Sequence, residues 1–494
     1  MLLRRAPSPV NLGRRRRVSS GRGAQGLVAV VIALVVLALR VPAVAAPEPA
    51  AGILGPPRKA LVTALESLAT WCDSNRLPGE RDRTFVRILT LDPDHARARR
   101  GLRYSRKDKT APWVRATDYV TPPDWSKGLL PEARKRRCDA AAVFRAAAGA
   151  AFDAAGAAAD DGRRDEVAEI SLDVAPDDIE YRKQRGDEEM DGRWVLPETA
   201  EGHRRRREFA KILASVGTPA AQIEEKTFRM GWEGAARSAH YVTIGMVPMQ
   251  GCMAEVRLRE LTRTFLGATL GPVIDATSRH QLVIFRDGTT ARRWLASIPE
   301  YSSVLQVAEL TSGVSLPDGS YATWGDEEGR TLAGVRNLIS LHLGEMAADS
   351  SLRAWAMEGL GQRLCRTVAG VHAAPFGLVM GTDRPMEDGE EASGRLDRDA
   401  AWLPLAAESL QVDPARKLRA ILTMKLNAMR RDDVLVAYAL GAYLLEGRPE
   451  SLRALVKASA ASNDAEQVCR DVLGVDAATL AWRVRRWAME TGAE

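Results

Sequence analysis

The sequence predicts an α+β chain that is rich in helices. Over most of its length, apolar residues recur at the spacing of a buried helix face. Between about residues 232 and 324, short β-branched and aromatic runs alternate with helical segments, and two further helices follow. With 494 residues, of which 46% are apolar and 27% charged, the chain has the composition of a folded protein and room for two or three domains.

The N-terminal 46 residues have the pattern of an export signal. They hold eight arginines and no acidic residue, and a 13-residue apolar run spans 27–39. That run is shorter than the about 20 residues a membrane-spanning helix needs, and Ala43-Val44-Ala45 has the form of a signal-peptidase site. Residues 1–46 are therefore predicted to be a signal peptide or a signal anchor. The bulk of the protein would lie outside the cytoplasm, in the periplasm or cell envelope, with membrane contact only through this segment.

The positive charge of the chain belongs to that leader. The formal net charge is +6, but the remaining residues carry 62 basic and 64 acidic side chains. Because no basic excess is left to neutralise phosphates, nucleic acid is excluded as the default partner.

Residues 47–58 are rich in alanine, proline and glycine and are predicted to be a linker, and residues 59–217 a helical module. One local pattern occurs twice in this module, with proline, acid, arginine and tryptophan in the same order: Pro93, Asp94, Arg99, Trp113, and then Pro176, Asp177, Arg182, Trp194. The first copy resembles the helix–turn–helix junction of tetratricopeptide-like repeats, with Asp92 or Asp94 expected to cap the second helix. Two such degenerate copies are compatible with a partner-binding surface or with a packed helical spacer.

Residues 218–494 are predicted to form a second domain, in which a small sheet precedes a set of helices. The predicted strands are 240–247, 281–285, 304–310 and 320–324, and the predicted helices between them are 253–266 and 291–296.

The two helices predicted over residues 334–361 carry the candidate site. A histidine and a carboxylate fall on their apolar faces, His342 in the first helix and Glu358 in the second. A buried carboxylate without a partner is costly, so we expect a cation or hydrogen-bond donors to meet Glu358.

This pair of helices resembles the active-site helices of the gluzincin metallopeptidases, in the group called peptidase MA-like. In that family a helix with His-Glu-x-x-His is followed by a helix with Trp-x-x-Glu-Gly-x-Ala. The second helix matches at Trp355, Glu358 and Gly359, with Gly361 in place of the alanine. In the first helix His342 matches the last histidine, but Leu338 stands where the first histidine belongs and Ile339 where the glutamate belongs. The helical stretches 436–445, 449–456 and 472–487 resemble the C-terminal tail of the same family.

The resemblance implies a thermolysin-like fold, with a small-sheet lobe and a helical lobe, whose zinc site is degenerate. A catalytic zinc needs about three protein ligands and a base for its water, and leucine and isoleucine supply neither. No catalytic residue and no cofactor are therefore predicted. The protein would be a pseudopeptidase that binds a peptide or protein, or acts as a scaffold. Two alternatives remain open: an active, divergent zinc peptidase using His342, Glu358 and a third ligand from elsewhere, and a purely structural envelope protein. His372 could complete a set with His342 and Glu358, but without a base this set would hold only a structural or vestigial metal.

Overall fold

The computed structural model describes residues 52–492 except 107, 109–110, 112, 117–118, 156–160, 218–219, 222–230, 272–279, 306–307, 309–312, 318–319, 348–351, 371, 373–395 and 426–427. The predicted leader and the first residues of the predicted linker lie outside the described residues. The described chain is helix-rich with a small mixed sheet, which confirms the α+β class in its coarse form.

The N-terminal part consists of helices and two short β-ribbons. Its first helix begins at Gly55, inside the predicted linker, because Pro56 and Pro57 suit the first helical turn. The helices are α1 Gly55–Ser74, α2 Pro78–Leu91, α3 Ala96–Gly101, α4 Leu130–Ala155, α5 Asp161–Val174, α6 Ile179–Gln184 and α7 Pro197–Ser215. The strands are β1 Tyr104–Ser105, β2 Val114–Arg115, β3 Glu188–Met190 and β4 Arg193–Val195, paired antiparallel as β1–β2 and β3–β4.

The repeated sequence pattern corresponds to a repeated structure. In each copy a long helix ends at the proline turn, a six-residue helix follows, and a ribbon closes the unit. Nε of Arg99 donates to the carbonyl of Pro93 at 2.9 Å, and Nε of Arg182 donates to the carbonyl of Pro176 at 2.7 Å. The arginine of each copy thus fixes its own turn, while the ribbon is an element that a plain helix–turn–helix repeat does not contain.

The cap of α3 differs from the predicted one. Nδ1 of His95 accepts the hydrogen bond from the amide of Ala98, at 3.3 Å. Asp94 instead accepts a bond from the indole N–H of Trp113 at 3.3 Å. In the second copy, Asp178 caps α6 through the amide of Tyr181, as an aspartate at that position should.

A six-stranded mixed sheet follows, in the order β5-β6-β7-β8-β10-β9. Its strands are β5 Ala220–Ala221, β6 Gly234–Arg237, β7 Tyr241–Gly245, β8 His280–Ile284, β9 Gly313–Ser315 and β10 Tyr321–Thr323. The pairs β7–β8 and β8–β10 are parallel, and the other three are antiparallel. The crossovers between the parallel strands contain helices α8 Met249–Leu270 and α9 Gly288–Ala296, both of which the periodicity predicts.

One predicted strand is wrong. Residues 299–304 form a 3₁₀ helix, and Leu305 and Ala308 are also helical. Pro299 starts this helix, and Val304 and Leu305 pack beside Trp294 against the small core under β8. An apolar run of this length suits a short helix as well as a strand, so its pattern alone does not distinguish the two.

The remaining helices surround the main hydrophobic core. They are α10 Glu327–Ala347, α11 Leu360–Ala369, α12 Trp402–Ser409, α13 Pro414–Thr423, α14 Arg431–Ala442, α15 Pro449–Ala461, α16 Ala465–Leu473 and α17 Ala477–Thr491, with π-helical turns at Trp355–Gly359 and Tyr443–Gly447. Helix α17 packs on α5 and α7, so the predicted N-terminal and C-terminal domains meet in an interface. Within the described ranges, no helix is both long enough and apolar enough to cross a bilayer.

Candidate functional site

Helix α10 and the π-helical turn before α11 hold the residues that the sequence singles out. The predicted interior face of α10 is buried, with Val335 at 0%, Leu338 at 2%, Ile339 at 0% and His342 at 7% exposure. Helix α10 packs directly against α11. The face of α10 that the periodicity predicts to be buried is therefore the buried one.

Leu338 and Ile339 are members of the main hydrophobic core. An alanine-sized side chain built at Gly361 would lie 3.9 Å from Cδ1 of Ile339, so the second helix packs closely on this part of the first. The two positions where the family would place a zinc ligand and a base are thus filled by packed aliphatic side chains.

Glu358 is completely buried, and the cation that meets it is Arg336. Nη2 of Arg336 donates to Oε2 of Glu358 across the contact between α10 and the π-helical turn. Arg336 lies six residues before His342 on the same helix. The cation expected opposite Glu358 is therefore supplied by the helix that carries His342.

Trp355 and Gly359, the other matching residues of the second helix, have structural contacts. The indole N–H of Trp355, also fully buried, donates to the hydroxyl of Ser459 at 3.3 Å. A Cβ atom at Gly359 would lie 2.1 Å from the carbonyl oxygen of Ala437, on α14. Because the α14 backbone crosses so closely, this position requires glycine.

A second π-helical turn carries another buried ion pair. Glu446, in the turn Tyr443–Gly447, accepts a bond of 2.5 Å from Nε of Arg363 on α11. Arg363 also donates to the hydroxyl of Tyr438 at 2.9 Å, and that hydroxyl lies 3.3 Å from Nε2 of His372. Each π-helical turn thus presents a buried glutamate to an arginine, and His372 belongs to the network of the second.

His372 is held by contacts that suit a neutral imidazole. Its Nδ1 lies 3.2 Å from the carbonyl oxygen of Arg398, and its ring stacks on Trp402 at a centroid distance of 4.2 Å. Burial lowers the pKa of His372 to about 4, and the nearby positive charges of Arg366 and Arg363 act in the same direction. Both ring nitrogens have partners within the protein.

The residues at this site do not fit a catalytic zinc. Leu338 and Ile339 have no donor atoms, and a divalent cation at Glu358 would share the carboxylate with the guanidinium of Arg336, at a high electrostatic cost in a buried setting. In the part of the chain that the structure describes, no three His, Cys, Asp or Glu side chains converge in a way that could hold a metal ion.

The sequence reasoning missed the two arginine partners. Arg336 precedes Glu358 by 22 residues and Arg363 precedes Glu446 by 83, so helical spacing within one element could not pair them. The sequence did indicate that buried Glu358 needs a cation. Arg336, next to the buried face of α10, was the candidate that this requirement could have identified.

No protein family model matches this chain, and neither curated proteins nor solved structures yield a match.

Proposed function

We propose that this chain is an exported or membrane-anchored, non-catalytic, gluzincin-like protein that binds a peptide or protein partner and acts as a scaffold. The observation that carries the proposal is the buried pair of Arg336 and Glu358. In the family that the sequence resembles, the corresponding carboxylate binds zinc. Here Glu358 binds the guanidinium of Arg336 instead.

The packing of the neighbouring residues supports the same proposal. Leu338 and Ile339 contribute to the core rather than to a polar cavity. Hydrolysis of a peptide bond would require a polarised water and a base at this place, and aliphatic side chains provide neither.

The scaffold part of the proposal rests on the interface between the N-terminal helices and α17. Arg182 pairs with Asp187 at 2.8 Å and with Glu490 at 3.2 Å, and Arg486 also binds both of these acids. Charges buried and paired in this way hold the repeat-like part against the C-terminal helix in a defined orientation.

Hydrolysis of fluorescein-labelled casein by the full-length protein, with and without added zinc, tests the proposal. We expect no release of fluorescence above a protein-free blank, and no difference between the wild type and Glu358→Gln. Release that disappears with a chelator and with Glu358→Gln would overturn the non-catalytic assignment and support a divergent peptidase.

A further inference from the structure

A cleft of about 390 Å³ lies between the repeat-like part and the C-terminal helix, away from the residues of the peptidase-like site. Its walls come from α2, the end of α5 and α17. They include the apolar side chains of Val86, Leu172 and Met489, together with five arginines and three carboxylates. This size suits a small ligand or the end of a chain.

Two of the three carboxylates are already bound by groups of the protein. Asp82 accepts from the hydroxyl of Tyr119 and from Nε of Arg81, the latter at 3.1 Å. Glu490 accepts from the amide of Leu196 at 2.9 Å and from Nε of Arg486 at 3.0 Å. Glu490 also pairs with Arg182, and Arg83 pairs with Glu80 and Asp124 beside the cleft. Within the described chain, Arg87 and Arg485 are therefore the two arginines of the cleft that have only Asp173 beside them.

The third carboxylate brings two arginines together. Nε of Arg87 donates to the backbone carbonyl of Asp173 at 3.0 Å, and Nη1 of Arg485 donates to the carboxylate of the same residue. Nη1 of Arg87 and Nε of Arg485 are buried, and among the described residues neither has a hydrogen-bond acceptor. Two guanidinium groups beside one carboxylate leave two donors without an acceptor and one positive charge uncompensated on this wall.

The charges around Arg87 also indicate that this wall lacks an anion. The pKa of Arg87 is lowered to about 10, mainly by burial; Asp173 and Glu80 oppose this shift, and the positive charges of Arg137 and Arg485 add to it. An anion placed beside Arg87 would relieve this imbalance.

The chemistry of the two arginines indicates which anion fits. Arg87 and Arg485 both line the cleft, and guanidinium groups bind the two oxygens of a carboxylate in the plane. A phosphate dianion would carry further oxygens and a second charge towards Asp173. The apolar side chains in the wall favour a ligand whose carboxylate is attached to an apolar body.

We propose that this cleft is a binding site for an apolar chain ending in a carboxylate, held by Arg87 and Arg485. The site is separate from the peptidase-like helices and does not depend on whether those helices are catalytic. The carboxylate can come from a free acid or from the C-terminus of a peptide, and the two sources share the same recognition.

The test is calorimetric titration of the full-length protein with hexanoate, hexanamide, inorganic phosphate, and acetyl-alanyl-leucine as its free acid and as its amide. The variant is Arg87→Met, and the matched control is Arg286→Gln. Arg286 is an exposed arginine paired with Glu233 and does not line the cleft, so its loss changes the net charge equally without removing a cleft residue. Unfolding temperatures are measured for all three proteins.

We expect hexanoate or the peptide acid to bind, and the corresponding amide to bind at least about tenfold more weakly, because it carries no negative charge to pair with the guanidinium groups. Arg87→Met should weaken binding by about tenfold or more, and Arg286→Gln by less than about twofold. The unfolding temperature of Arg87→Met should equal or exceed that of the wild type, since an undercompensated buried charge is removed. The better of the two acids identifies the source of the carboxylate.

Equal binding of acid and amide would overturn the proposal, and so would phosphate binding more tightly than both acids or no binding of either acid. Unchanged acid binding by Arg87→Met would do the same. A marked fall in the unfolding temperature of Arg87→Met would assign this arginine a purely structural role and would also contradict it.

Discussion

Arg336 and Glu358 form a buried ion pair that joins helix α10 to the π-helical turn preceding α11. The carboxylate side chain is 0% exposed and that of the arginine 15%. The pair gives the buried carboxylate of Glu358 a structural role in this chain.

Removing Arg336 alone should be far more costly than removing both members of this pair. Arg336→Met deprives a fully buried carboxylate of its cation and should destabilise the protein by about 3–5 kcal/mol. Glu358→Gln should cost less, because Arg336 retains some contact with solvent. In a double-mutant cycle measured by urea unfolding at pH 7, we expect a coupling energy of at least about 2 kcal/mol.

The matched control is the exposed pair Arg286 and Glu233, whose side chains are 69% and 44% exposed. The corresponding cycle with Arg286→Met and Glu233→Gln should give a coupling energy below about 1 kcal/mol. Additive effects at the buried pair would mean that the two residues do not stabilise each other.

Gly359 should be indispensable for folding. In Gly359→Ala the new methyl group would lie 2.1 Å from the carbonyl oxygen of Ala437, which is backbone and cannot move aside locally. We expect a loss of about 3 kcal/mol or more in the free energy of unfolding.

Gly361→Ala is the control, two residues further along the same helical segment. Its methyl group would contact Cγ of Arg336 at 3.4 Å, an ordinary van der Waals distance, and alanine favours helix over glycine. This variant should be as stable as the wild type or more so by about 0.5–1 kcal/mol. Equal losses in the two variants would contradict the close crossing of α14 over Gly359.

An acidic residue at position 339 should damage the protein. Ile339→Glu places a carboxylate at a position with 0% exposure inside the main core. We expect destabilisation by more than about 4 kcal/mol, because a buried charge without a partner is among the most costly substitutions. Circular dichroism and urea unfolding would detect it.

Ser340→Glu, one residue along and exposed to solvent, is the control and should change the stability by less than about 0.5 kcal/mol. If Ile339→Glu proved as stable as Ser340→Glu, position 339 would face a polar cavity, as in an active peptidase.

His372 should make stability depend on pH in a defined window. Its pKa is lowered from an ordinary 6.5 to about 4, so between these values the unfolded chain binds the proton and the folded protein does not. Lowering the pH from 6.5 towards 4 therefore reduces the free energy of unfolding through this histidine. Above pH 6.5 and below pH 4, the effect of His372 on that free energy does not change with pH. We expect a loss of about 2–3 kcal/mol between pH 6.5 and 4.

The readout is the difference in the free energy of unfolding between the wild type and His372→Gln from pH 7.5 to 4. Other titrating groups contribute to both proteins and cancel to first order. A difference that stays constant over this range would show that His372 titrates normally in the folded protein.

Periodicity predicted much of the fold, because burial of one face determines the order of apolar residues in a helix. It oriented Leu338, Ile339 and His342 correctly and predicted the strand at Tyr241–Gly245. It failed at Val304 and Leu305, where a short apolar run is compatible with either a strand or a helical turn.

The candidate site could be predicted only in part, since its partners are distant in the sequence. The need for a cation at Glu358 follows from the sequence, but the identity of Arg336 depends on how two helices cross. The pairing of Arg363 with Glu446 also depends on how helices cross. So does the contact of Arg87 and Arg485 with Asp173. Spacing within one element carries no information about such contacts.

The zinc content of the full-length protein tests the central claim most directly. It would be measured by elemental analysis after dialysis against zinc and then against metal-free buffer, for the wild type and for Glu358→Gln. We expect far less than one zinc per chain in both proteins, and an unfolding temperature of the wild type that a chelator does not change. One zinc per wild-type chain that is lost in Glu358→Gln, with a chelator lowering the unfolding temperature, would contradict the assignment of Glu358 as the structural partner of Arg336.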